Sequence, residues 1–175
     1  VCSSDLTGLL LARVSPERGE VEGKPRRGVF AAGDAWLDTG DLVRCDNDGD
    51  FWLLDHLRDV VHTGKGAVAT IPVEDTLAAE LSFIDLAAVF GVELDGEKAA
   101  TIVAAITLRP GEEFDLDAFS HVVHTRLLAR ERPRFVRVLD ELPLTSGHRI
   151  RKRALREAGL DSTAGTDHEI PAVLG

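Results

Sequence analysis

Apolar residues in this chain change their spacing near residue 55. Before it they come as short runs between turns: GLLLARV at 8–14, a second run around 42–44, and FWLL at 51–54. Between the last two, DNDG at 46–49 supplies the Asp and Gly that a tight hairpin turn favours, since both tolerate left-handed backbone. Residues 15–28 are rich in Gly, Pro and charge and read as a loop. After residue 59, apolar runs alternate with helical patterns. Residues 60–69 read as a small hairpin around Gly64 and Gly66. Pro72 suits the first turn of a helix that continues to residue 81. The β-branched runs at 84–92 and 99–108 read as neighbouring strands of one sheet. Residues 115–130 place Phe119, Val122, Val123, Leu127 and Leu128 on one helical face. A third strand follows at 135–139, then a Pro/Thr/Gly loop at 142–147. A final helix at 150–158 is ended by Gly159. The polar tail from Asp161 reads as loose.

The pattern predicts an α+β fold. A strand-rich segment and a hinge precede a small domain with a three-stranded sheet flanked by helices. The expected divisions are 7–55, 56–160 and a loose 161–175. The opening VCSSDL is what a common sequencing-adapter end gives when translated. Residues 1–6 are therefore expected to be an assembly artefact, with more chain upstream.

Composition narrows the functional classes. The chain has 175 residues, 44% hydrophobic and 29% charged, as in ordinary globular proteins. A net charge of -10 argues against a nucleic-acid partner and an anionic membrane surface. No apolar run approaches the roughly 20 residues of a spanning helix. Cys2 and Cys45 have no metal-ligand or disulfide spacing, which makes a cytoplasmic location the default. Asp46, Asp48 and Asp50 hint at a calcium loop, but Gly49 is misplaced for one and the distal Glu is missing. His121 and His124 are one helical turn apart, without an evident third metal ligand. No metal site is predicted.

Two blocks carry candidate chemistry. The first is WLDTGDLVRCDNDGDFWLLDHLRDVVHTGKGAVATIPVEDTL at 36–77, and the second is LPLTSGHRIRKRALREAG at 142–159. Together they resemble the last part of the acyl-adenylate-forming enzymes. They are similar in particular to fatty-acid transport protein-like and very-long-chain acyl-CoA synthetases. GVFAAGDAWLDTGDL is the phrase that is similar to the fatty-acid branch.

The resemblance implies roles residue by residue. In Thr39-Gly40-Asp41 the carboxylate would accept hydrogen bonds from both ribose hydroxyls of ATP, a task suited to a group with two acceptor oxygens. The bland alternative is a strand-end turn with a solvated Asp. DHLRD at 55–59 aligns with the family's Asp-Arg-x-x-Asp hinge, so His56 stands where an arginine contacts the nucleotide. A neutral imidazole offers one donor against a guanidinium's five. Arg58, at the pivot position, could reach the nucleotide through a register shift; a purely structural hinge is the alternative. HTGKGAVA at 62–69 aligns with the stretch whose glycine lets the pantetheine arm of CoA approach. Here Gly64, Lys65 and Gly66 occupy it, with Lys65 at the glycine position; the alternative is a flexible hairpin tip. Pro72 replaces the first acid of the family's Glu-Val-Glu. Glu74 matches the second, and equally suits a helix N-terminal charge.

In TSGHRIRKR at 145–153, Arg149 stands where the family's adenylation lysine bridges acyl carboxylate and α-phosphate. Arginine keeps the charge but is a planar fork. Lys152 lies too far along the helix to replace it, and a merely basic helix start is the alternative reading.

The implied reaction joins a fatty acid or other carboxylic acid to CoA. ATP, with Mg2+, first forms an acyl-adenylate, and CoA then displaces AMP while the small domain rotates. The acyl pocket, phosphate loop and adenine motif would lie upstream, so the chain alone is expected to be inactive. Peripheral membrane association through that upstream part is compatible with the resemblance. The competing expectation is a degenerate homologue that binds nucleotide or acyl ligand, or acts as an interaction module.

Overall fold

The computed structural model describes residues 6–15, 23–160 and 165–171. Residues 1–5 of the expected artefact at 1–6, loop residues 16–22, and tail residues 161–164 and 172–175 lie outside the described residues. The chain divides into two compact units, Val1–Arg58 and Asp59–Gly175. No helix among the described residues is long and apolar enough to cross a membrane.

The first unit is one antiparallel sheet around a long central strand. β1 (Leu6–Arg13) runs along one side of β3 (Ala35–Cys45). The short β2 (Arg26–Arg27) and β4 (Phe51–His56) share its other side. Leu6, counted above with the artefact, pairs with Cys45. The 46–49 turn forms as the Asp/Gly pattern predicts. Asp46 accepts the amides of Asp48 and Asp50, both at 3.0 Å, and the Trp52 indole at 2.8 Å. Those donors, the indole foremost, hold its carboxyl below the usual range.

The second unit opens with the hairpin β5 (Val61–Thr63) and β6 (Gly66–Val68), then α1 (Ile71–Glu80). Its main sheet contains β7 (Ile84–Val92), β8 (Thr101–Leu108), β9 (Phe135–Val138) and β10 (Thr166–Glu169), in the order β10-β9-β8-β7. β8 and β9 are parallel, joined across α2 (Leu116–Arg126); the other pairs are antiparallel. α3 (Lys152–Ala158) follows. Alternation along β8 builds two cores. Ile102, Ala104 and Ile106 pack with Leu77 and Phe119. Val103 and Ala105 pack with Phe90 and Leu155.

The α+β class holds; β3 is longer than the run around 42–44 and β2 lies inside the predicted 15–28 loop, and the second unit departs from the predicted pattern at three places. The sheet has four strands rather than three. Within the supposedly loose tail, Thr166–Glu169 pairs with β9. Arg137, 1% exposed, drives this pairing: its guanidinium grips both oxygens of Asp167 at 2.6 Å and also donates to Gly159 O. Ile170 is buried just beyond. Next, α2 stops at Arg126 instead of 130, because Arg132 donates to the carbonyls of His124 and Leu127 and so satisfies the helix end early. Leu127 stays buried, but Leu128 points outward. Lastly, α3 begins at Lys152 rather than 150, since Ile150 forms a β-bridge with Leu144.

Candidate functional site

The first unit brings two sequence-predicted residues together. Asp41 lies on β3 directly opposite His56 on β4, beside a bulge between Leu42 and Val43. His56 Nδ1 stands 2.5 Å from Asp41 Oδ1, with both side chains half-buried. Register thus places His56, not Arg58, against Asp41; Arg58 lies beyond β4, at the end of the unit. The preceding residues form a braced irregularity within β3, where its pairing with β1 shifts register. Gly40 takes φ 75°, open to glycine at no steric cost. Thr39 Oγ1 donates to Leu10 O at 2.8 Å and accepts the Asp41 amide at 3.1 Å. Its hydroxyl proton is therefore spent on the sheet. Asp55, buried, accepts the His56 amide at 2.8 Å. The result is a preset carboxylate, suited to accepting hydrogen bonds from hydroxyl groups.

The second unit carries the other predicted residues at two places. Gly64 and Lys65 form the exposed tip of the β5–β6 hairpin, and Gly66 takes φ 119°. Thr63 Oγ1 braces the tip by accepting the Lys65 amide at 3.1 Å and donating to Gly66 O at 2.9 Å. Beside the tip lies an open cleft of about 480 Å³, bordered by Lys65, Lys98, Arg130, Arg132 and Arg134. Arg134 pairs with Glu169 and Glu97, and these acids, Glu169 foremost, raise its pKa further.

Arg149 sits on an exposed loop closed by the Leu144–Ile150 bridge. Thr145 Oγ1 accepts its amide at 3.1 Å, and its carbonyl accepts the Thr145 amide at 2.8 Å. The guanidinium makes no hydrogen bond or ion pair among the described residues. His148, just before it, takes φ 59°. That is the left-handed region that favours glycine, adopted here by a residue with a side chain.

Sequence reasoning missed what holds this loop. Lys152 is buried, with Nζ 2.6 Å from Glu74 Oε1 and 2.5 Å from Thr70 Oγ1. Glu74 Oε1 also accepts the Val89 amide at 2.6 Å. Glu74 is thus an internal tie from α1 to α3 and β7, and Lys152 is occupied. One turn on, Arg156 pairs with Asp59 at 3.0 Å, fastening α3 to the start of the second unit. The only signal was a basic helix start; partners 78 and 97 residues away leave no local trace. His124, half of the weak metal pair, has Nε2 2.9 Å from Pro171 O.

No family model matches the chain. It is 35% identical over 172 residues to a medium/long-chain-fatty-acid–CoA ligase of Mycobacterium tuberculosis, covering 94% of this chain and 28% of that protein. It is 33% identical over 133 residues to long-chain fatty acid transport protein 6 of Mus musculus, covering 76% and 21%. Among solved structures, ATP-bound MatB from Rhodopseudomonas palustris superposes with a TM-score of 0.65 at 26% identity, over 71% of this chain and 24% of that one. The chain therefore spans about a quarter of the length of the relatives it matches. Over nearly all of its length the chain is therefore homologous to part of fatty-acid–CoA ligases and fatty acid transport proteins, and its α+β fold is like that of part of the acyl-adenylate-forming enzymes.

Proposed function

We propose that the protein containing this chain is an AMP-forming fatty acyl-CoA synthetase. A fatty acid carboxylate attacks the α-phosphorus of ATP and releases pyrophosphate; the CoA thiolate then attacks the acyl carbon and releases AMP. The observation that carries the reading is the meeting of Asp41 and His56, which brings TGD and hinge segments to one carboxylate. Asp41 binds the ribose and His56 lies beside it. Thr39 braces β3 rather than touching nucleotide, and Arg58 belongs to the hinge between the domains 7–55 and 56–160. Arg149 supplies positive charge as the carboxylate approaches phosphorus. That its guanidinium has no partner among the described residues favours a role toward a ligand.

Gly64, Lys65 and Gly66 line the approach of CoA. The adjoining basic cleft supports this, since it gathers cations on a chain of net charge -10. Mg2+ enters with ATP as its counter-ion, and no residue of this chain is assigned to it. The protein works in the cytoplasm, with membrane contact left to its remaining part.

The test is fatty-acid-dependent ATP–pyrophosphate exchange, followed by CoA thioester formation, in the complete gene product. Exchange is expected, and Asp41→Ala should raise the KM for ATP at least tenfold. A complete protein that binds neither ATP nor acyl chains overturns the reading.

A second reading, a degenerate homologue, is favoured by His56, Lys65, Pro72 and Arg149 standing where the family has other residues. Arg149→Lys with His56→Arg separates the two. A rise in exchange above about 10²-fold, some 2.7 kcal/mol of transition-state stabilisation, would mean degeneration. Little change would mean that the site works as it stands.

A further inference from the structure

One oxygen of the Asp41 carboxylate is closed to any ligand. Oδ1 is sealed from solvent, and the polar group that reaches it is the His56 ring, 2.5 Å away. The contact is close but lacks the alignment of a regular hydrogen bond. Asp41 still keeps 24% of its side-chain surface, and none of it falls on Oδ1. An ionised carboxylate only accepts, so what the ring can offer Oδ1 is a proton on Nδ1.

The pairing is built in on both sides. Strand register sets His56 opposite Asp41, Asp55 fixes the His56 amide, and Thr39 fixes the Asp41 amide. A carboxylate with both oxygens open can span two vicinal hydroxyls, one on each oxygen. With one oxygen sealed it can no longer give each hydroxyl an oxygen of its own.

We infer that His56 is a specificity-determining positioning residue, which occupies one oxygen of Asp41 so that the site reads a single hydroxyl of the nucleotide sugar. This rests on the assignment of Asp41 to ribose. His56 acts through Asp41 and not on the reacting atoms. In the complete gene product it sets which sugars are accepted rather than how fast the acid is activated.

The experiment is equilibrium binding of ATP, 2′-deoxyATP and 3′-deoxyATP to the complete protein and to three variants, with thermal melting to verify folding. In the unaltered protein one deoxy analogue should bind within about threefold of ATP. The other should lose roughly tenfold or more, the scale of one hydrogen bond to a charged acceptor. His56→Ala opens Oδ1, and both analogues should then lose roughly tenfold against ATP. His56→Asn, whose amide nitrogen takes the place of Nδ1, should keep the original tolerance. An unaltered protein that rejects both analogues equally overturns the inference, as does His56→Ala leaving the ratios where they were. If none of the three nucleotides binds and Asp41→Ala changes nothing, the ribose assignment falls, and this inference with it.

Discussion

The two units treat apolar surface in opposite ways. In the second, side chains on both faces of the sheet are covered, and Leu77, Phe90 and Phe119 are fully buried. In the first, Leu6, Phe30, Phe51, Trp52, Leu53 and Leu57 are exposed, and the buried apolar residues among those described are Val43 and Cys45. A covered sheet carries its own stability, whereas a single sheet with bare faces has little hydrophobic support. The candidate residues are accordingly held by different means. Strand register and local hydrogen bonds fix Asp41 and His56. Arg149 rides on a loop whose following helix is pinned into a core by Lys152.

The largest expected contrast lies between two phenylalanines. Phe119→Ala should cost about 3–5 kcal/mol of unfolding free energy in denaturant titration, because it empties a packed site. Phe51→Ala, at a residue 62% exposed, should stay within about 0.5 kcal/mol. Equal costs would erase the distinction between the units.

Lys152→Met comes next. It strands the buried Glu74 carboxylate and should cost about 3 kcal/mol. Adding Glu74→Gln should recover much of this, since glutamine still accepts the Val89 amide. A single variant as stable as the parent would show that α3 is held by packing alone.

A smaller change, of opposite sign, is expected from His148→Gly. Relief of the left-handed backbone outweighs the freedom gained by the unfolded chain, for a gain of a few tenths to about 1 kcal/mol. A loss would mean that the imidazole itself supports the loop.

The last prediction is local and concerns acid. Partial desolvation raises the Asp34 pKa. The Trp36 side chain and the amides of Phe30, Ala31 and Val29 outweigh it and bring the value from 3.8 to about 2. A depressed folded-state pKa stabilises above the unfolded value. That contribution should therefore be full above about pH 4 and lost as pH falls toward 2. Trp36 fluorescence should report the change in this window, and Asp34→Asn should flatten it.

Strands and helices with strong periodicity were legible in the sequence. Residues 84–92 and the helix opening at Pro72 lie almost where the pattern put them. The 46–49 turn was legible because Asp46 bonds within its own segment. β10 was not, because TDHE has no apolar alternation and is held by a partner thirty residues earlier, Arg137. The early stop of α2 was hidden for the same reason, since Arg132 lies outside the helix it caps.

Of the candidate site, the residues themselves were legible: Asp41, His56, the 64–66 tip and Arg149 are all read from short motifs. Their neighbours were not. That His56 faces Asp41 depends on the register of two strands and a bulge. That Glu74 and Lys152 form one buried pair depends on α1 and α3 meeting across the sheet edge. Local patterns determine which elements form and which chemical groups they carry, because hydrogen bonding and side-chain periodicity act over a few residues. Which of those groups meet is decided by packing, because only the folded core sets distances between residues far apart in the chain.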